Sequence, residues 1–197
     1  MKNVLIIFIL SSVLFSAGFD KWGTQDFYVQ KYDRTTNGEA LTGVSVKEYG
    51  DAFYHKTVLT ISADFDSVTA DTQALGLSLY TLPDGAIVIK AAKMDIAITG
   101  TDSVTSDTPD GGLGMETASG THSALSDTAA FESIITGQTF NDVDGTAEVK
   151  TIAASDVVVE SADTERTVNF NIADIWAGND IISASGTVVL FWYKVDE

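Results

Sequence analysis

Apolar and polar positions alternate with period two over much of the chain after Phe53. Leu59, Ile61, Ala63 and Phe65 alternate with Val58, Thr60, Ser62 and Asp64. Leu75, Leu77 and Leu79 alternate with Gly76, Ser78 and Tyr80, and Val168, Phe170 and Ile172 with Thr167, Asn169 and Asn171. A period of two puts one set of side chains on each face of a strand, so each run predicts a half-buried β-strand. Ile87 and Ile89 share one parity, and Met94, Ile96 and Ile98 the other. The switch across Lys90–Lys93 predicts a bulge or a strand that changes sheets. Thr187 to Tyr193 is apolar almost throughout, as expected of a central strand covered on both faces.

Turn signals separate these runs. Pro83-Asp84-Gly85 combines a residue that presets φ with one that tolerates positive φ. Asn37-Gly38 and Gly43 mark turns further upstream. Helical periodicity is confined to two short candidates, Thr128–Thr136 and Ile172–Trp176. Many short strands with Gly- and Asp-rich turns predict an all-β fold, an antiparallel β-sandwich or jelly-roll-like domain over 53–197. No repeat at a solenoid or propeller period is apparent.

The first 52 residues read differently. Val4–Phe15 is apolar and is followed by Ser16-Ala17-Gly18, the pattern of a secretory signal peptide. A retained apolar arm is the other reading of 1–18. Residues 19–52 are rich in aromatics and poor in aliphatics, which predicts an extended N-terminal arm. Its aromatics Trp22, Phe27, Tyr28, Tyr32 and Tyr49 are the candidate docking anchors.

Composition narrows the function. The 197 residues carry 28 Asp+Glu against 11 Lys+Arg, a formal charge of −17. Such a chain repels a phosphate backbone, so no nucleic-acid partner is expected. The 1–94 half holds eight basic and ten acidic side chains, and 95–197 holds three and eighteen. This asymmetry suggests a more neutral N-terminal half that docks and an acidic half that faces solvent. There is no Cys, which removes disulfides, thiolate metal sites and thiol catalysis.

Candidate chemistry is sparse. His55 and His122 are the only histidines, and neither has metal-site spacing. There is no nucleophile elbow and no phosphate-binding loop. Asp142-Val143-Asp144-Gly145 resembles the middle of an EF-hand loop, but the first and twelfth positions would be Phe140 and Thr151. Gly111-Gly112-Leu113-Gly114-Met115-Glu116 resembles one copy of a calcium-binding repeat, which cannot stack alone. Both stretches are read as turns. Asp107, Asp110, Asp142 and Asp144 are the weak candidates for a calcium shared between loops. Asp64 and Asp66 form a same-face carboxylate pair of the type glycosidases use, with nothing else marking a cleft. No catalytic residue is assigned and no cofactor is expected apart from that calcium.

Six phrases taken together carry a resemblance: Tyr54–Thr60, Leu79–Ala86, Ser106–Gly114, Thr136–Asp142, Asn171–Gly178 and Gly186–Leu190. In this order the chain resembles small virion structural proteins of tailed bacteriophages, of the kind that decorates or cements the capsid. The resemblance spans roughly Val44 to Tyr193. It implies a β-sandwich or jelly roll, no enzymatic activity, and self-association as a dimer or trimer. It further implies docking on the major capsid protein at the virion surface, with no membrane partner. The Val4–Phe15 run departs from that pattern. It favours the alternative, a secreted bacterial β-sandwich that binds glycans or uses calcium in adhesion.

Overall fold

The computed structural model describes residues 38–50, 54–69, 71–101, 103–160 and 166–195. The signal-like segment and the anchors Trp22, Phe27, Tyr28 and Tyr32 lie outside these residues. Ten strands follow in order: β1 (Glu39–Ala40), β2 (Val44–Gly50), β3 (Tyr54–Val68), β4 (Ala74–Thr81) and β5 (Ile87–Thr99). Next come β6 (Asp110–Gly114), β7 (Ile135–Thr139), β8 (Asp144–Val159), β9 (Thr167–Ala173) and β10 (Asp180–Lys194).

They form two five-stranded sheets, ordered β1-β4-β9-β6-β7 and β2-β3-β10-β5-β8. All pairings are antiparallel. The pairs β3–β10, β4–β9, β5–β8 and β6–β7 are nested one inside the next. A long hairpin rolled up in this way is the jelly roll, here with β1 and β2 added at the edges. The fold is therefore an all-β antiparallel sandwich. Strands β1 and β2 fall within 19–52, the stretch expected as an arm, and there they extend the two sheets.

The alternation seen in the sequence sets the core. Leu59, Ile61 and Phe65 of β3 meet Val188, Leu190 and Trp192 of β10 and Val168, Phe170 and Ile172 of β9 between the sheets. Phe170 sits 5.6 Å from Phe65 and 6.3 Å from Phe140, ring to ring. The parity switch is a bulge: the register of β5 slips at Lys90 against both neighbours. Ile87 and Ile89 before it, and Ala92, Met94, Ile96 and Ile98 after it, all reach the same core.

Four expectations need correcting. Strand β10 is central, but only Val188, Leu190 and Trp192 of its apolar run are buried; Phe191 lies exposed. The Gly111–Gly114 run is strand β6 and not a turn. Its glycines let a neighbouring segment lie flat on the sheet, since a Cβ on Gly114 would overlap the backbone of Ala130 and Phe131. Ile172–Trp176 is not helical: Ile172 and Ala173 finish β9, paired to β4 and β6. Thr128–Thr136 holds only a single short 3₁₀ turn at Ala129–Glu132, after which Ile135 begins β7. In both places sheet pairing outcompetes a weak local helical preference.

Asn169 and Asn171 alternate with the core residues of β9 and so point to the other face, yet both are buried. The segment 115–134 folds over that face, with Ala118, Leu125 and Phe131 packed on Ala74 and Ala173. Asn171 accepts from the Ala118 amide at 2.9 Å and donates to the carbonyls of Glu116 at 2.9 Å and Phe131 at 2.7 Å. Asn169 accepts from Ser78 and Thr117 hydroxyls at 2.8 and 3.0 Å. Two buried amides thus hold the cover of one sheet.

Candidate functional site: the outer face of the β2-β3-β10-β5-β8 sheet

The second sheet has no such cover among the described residues. Its cross-strand register lays outward side chains in rows. Tyr54, Tyr193, Val88 and Val158 form the first row. Tyr49, Lys56, Phe191, Ala91 and Ala154 form the second. Lys47, Val58, Val189, Lys93 and Ile152 form the third, followed by Ser45, Thr60, Thr187, Asp95 and Lys150. Large apolar groups stand open to water: Ile152 is 73% exposed, Tyr54 69%, Val158 55% and Phe191 40%. Isolated exposed apolar residues are ordinary, but four on one flat face mark a contact surface.

Charge on this face differs from the rest of the chain. Lys47, Lys56, Lys90, Lys93 and Lys150 lie on it or at its bulge, five of the seven basic side chains among the described residues. Lys90 pairs with Asp156. Lys93 and Lys150 each sit 3.7 Å from Asp95, and Lys150 sits 2.9 Å from Glu148. Lys56 lies over the Tyr49 ring, 5.8 Å from its centroid. These exposed pairs contribute little stability. Their effect is to make the face locally near neutral on a strongly acidic protein.

Of the anchors expected from sequence, Tyr49 is on this face. Tyr54, Phe191, Ile152 and Val158 were not among them. The resemblance and the aromatic count drew attention to 19–52, whereas the exposure of β8 and β10 follows only from which face each strand turns outward.

The loop carboxylates fall into two groups. Asp107 accepts from the Ala177 amide at 2.8 Å, and Asp110 from Thr139 Oγ1 at 2.9 Å. Both stand near Asp174, whose carboxyl is raised above the usual range by burial and further by their charges. Asp142 and Asp144 lie in the turn into β8, whose Val143 amide donates to the Thr105 carbonyl at 3.0 Å, and there Asp144 accepts from the Thr146 hydroxyl at 2.6 Å and amide at 2.8 Å. Among the described residues no three Asp, Glu or His side chains converge as metal ligands. Asp64 and Asp66 are exposed, and Asp64 accepts from Ser183 Oγ at 2.5 Å. His55 is stacked on Trp192, centroids 3.9 Å apart, and His122 meets the edge of Phe131 at 5.5 Å.

One polar cluster joins the two sheets. Glu48 of β2 accepts from the Tyr80 hydroxyl of β4, and at 3.5 Å from Thr57 Oγ1. Trp192 Nε1 donates to Thr57 Oγ1 at 2.8 Å, and the Gly38 amide donates to Tyr80 at 3.0 Å. Burial raises the Glu48 carboxyl above its ordinary 4.5, and these hydroxyls only partly offset it. Burial, with Glu48 second, also raises the Tyr80 phenol. A carboxyl raised on folding favours the fold most at low pH, and that contribution is lost as pH climbs past 4.5 through the folded value. Glu48→Gln is therefore expected to lose less stability than the wild type between pH 4.5 and 8. Urea midpoints across that range measure it, and parallel curves would contradict the assignment.

No protein-family model matches the chain, and no curated protein matches it. Among solved structures, a crystal structure of an arabinose-bound α-L-arabinofuranosidase (MgGH51) is similar with a TM-score of 0.32 and 10% identity. The match covers 83% of this chain and 26% of that one. This chain therefore spans about a quarter of that protein's length.

Proposed function

We propose that this is a non-enzymatic virion structural protein, which attaches to the surface of a phage capsid by docking on the major capsid protein. The observation that supports the reading is the outer face of the β2-β3-β10-β5-β8 sheet, which no described segment covers, with Tyr54, Phe191, Ile152 and Val158 exposed. Four rows across five strands give a footprint of about 600 Å² at ordinary strand and residue spacing. A standard interface buries roughly 800 Å² per partner, so this face is of the right order. Each large apolar side chain removed from water contributes roughly 1.5–3 kcal/mol. Repetition over a shell multiplies a modest single contact into stable attachment. The acidic remainder of the surface keeps particles apart. The sequence resemblance supplies the identity of the shell.

The test is the protein content of purified particles from the host culture. Mass spectrometry is expected to find the full chain in many copies per particle. Tyr54→Glu with Phe191→Glu is expected to lower that copy number at least tenfold, while Ile175→Glu, exposed in the loop after β9, leaves it unchanged. Particles without the chain would remove the capsid reading. Undiminished attachment of the double variant would remove this face as the docking site.

A further inference from the structure

Among the described residues no strand pairs with the outer edge of β8, and this edge offers a second kind of contact, independent of attachment to a shell. At sixteen residues β8 is the longest of the four edge strands. Proteins protect such edges with lysines, prolines, short length or strong bulges. From Thr151 to Val159 this edge has no Pro and one charged residue, Asp156, which is already paired with Lys90. In the β5–β8 ladder Ser155 and Asp156 stand opposite Lys90 alone, a one-residue bulge, yet inward and outward residues of β8 still alternate in burial through 150–160.

The segment is self-complementary when read antiparallel to itself about Ser155. Ile152 then faces the second copy's Val158, Ala153 its Val157 and Ala154 its Asp156. Just past the end of β8, Glu160 comes opposite the second copy's Lys150, which sets opposite charges against each other at both ends of the paired segment. Any other antiparallel two-fold register moves Lys150 away from Glu160. Ser155 itself has a buried hydroxyl with no hydrogen-bond partner. On the two-fold axis its counterpart lies at cross-strand distance, about 4.5–5.5 Å between Cβ atoms, close enough for the two hydroxyls to bond.

We infer that two copies of this chain pair along β8, antiparallel and centred on Ser155, joining their five-stranded sheets into one sheet of ten strands. The occupant of the edge is thus a second copy. The resulting dimer presents two outer faces side by side, with Ile152 and Val158 of both copies meeting at the seam.

The absence of cysteine makes the test clean. The full chain carrying Ser155→Cys is exposed to mild oxidant, beside Ile152→Cys and the double variant Ile152→Cys/Val158→Cys. Ile152 is far more exposed than Ser155, so random collision would favour cross-linking there. In the paired register two Cys at 152 stand some six residues apart and cannot bond, whereas Cys at 155 meets its own counterpart. Ser155→Cys and the double variant are expected to form disulfide dimers at least tenfold faster than Ile152→Cys. Sedimentation equilibrium of the unmodified chain is expected to show a dimer, with Ile152→Lys/Val158→Lys at least tenfold weaker in association. A monomer at all concentrations would overturn the inference. So would a dimer indifferent to the lysine pair, or faster cross-linking at 152 than at 155. None of these outcomes depends on particles.

Discussion

Gly186→Ala is expected to cost about 4 kcal/mol of folding stability. Gly186 sits in β10, at the centre of its sheet, between Ile61 of β3 and Ile96 of β5. Its φ is +139°, in the region where an L side chain is strained by roughly 1–2 kcal/mol. A Cβ there would also overlap the Asp95 carbonyl oxygen and stand 2.8 Å from Ile96 Cα. Both are backbone atoms of a paired strand and cannot swing aside. The ladder must open or the sheet must shift, which adds a cost of overpacking, about 1–3 kcal/mol. Gly85→Ala separates the two causes. Gly85 has φ +107° but nothing within 4 Å of an added Cβ, so that variant carries the conformational cost alone. Urea unfolding of both variants measures the difference. Equal losses would show that the close approach at Gly186 is not what constrains it.

Asn171→Leu is the second large effect, about 3 kcal/mol. Leucine fills a similar volume but leaves the Ala118 amide and the Glu116 and Phe131 carbonyls without their partner. A buried orphaned polar group costs about 1–3 kcal/mol, and 115–134 lifts from the sheet when that exceeds what its own packing returns. Faster proteolysis within 115–134, with the remaining strands still protected, is the expected signature. Amide exchange at Ala118 unchanged from wild type would contradict it.

Much of the fold was legible in the sequence because a sheet residue's face follows from its parity. The runs at Leu59–Phe65, Met94–Ile98 and Val168–Ile172 became core strands, and the parity switch at Lys90 became a bulge. The misreadings share a cause. The Gly111–Gly114 run has turn composition, yet it is a strand because another segment needs the space its missing side chains leave. Asn169 and Asn171 read as solvent-facing, yet a distant loop covers them. Short local windows contain no information about what packs on top.

The candidate site was less legible. Tyr49, expected from sequence as a docking anchor, stands on this face, but Tyr54, Phe191, Ile152 and Val158 come from three strands far apart in sequence. Only the register of β3, β10, β5 and β8 sets them side by side. The proposed polarity between an N-terminal and a C-terminal half also dissolves. Nested pairing places β3 beside β10 and β5 beside β8, so neither half owns a surface.

The amino-acid sequence by itself determined the class of fold, the strands that build the core, and the excess of negative charge. These follow from composition and from a period of two, both local properties. Among the described residues, the tertiary structure alone decided which of the two sheets is covered, where the lysines gather, and which long edge is left unpaired. Those depend on contacts between residues 40 positions apart, as Phe131 with Asn171, up to 135, as Trp192 with Thr57, and no local pattern encodes which partner a strand will find.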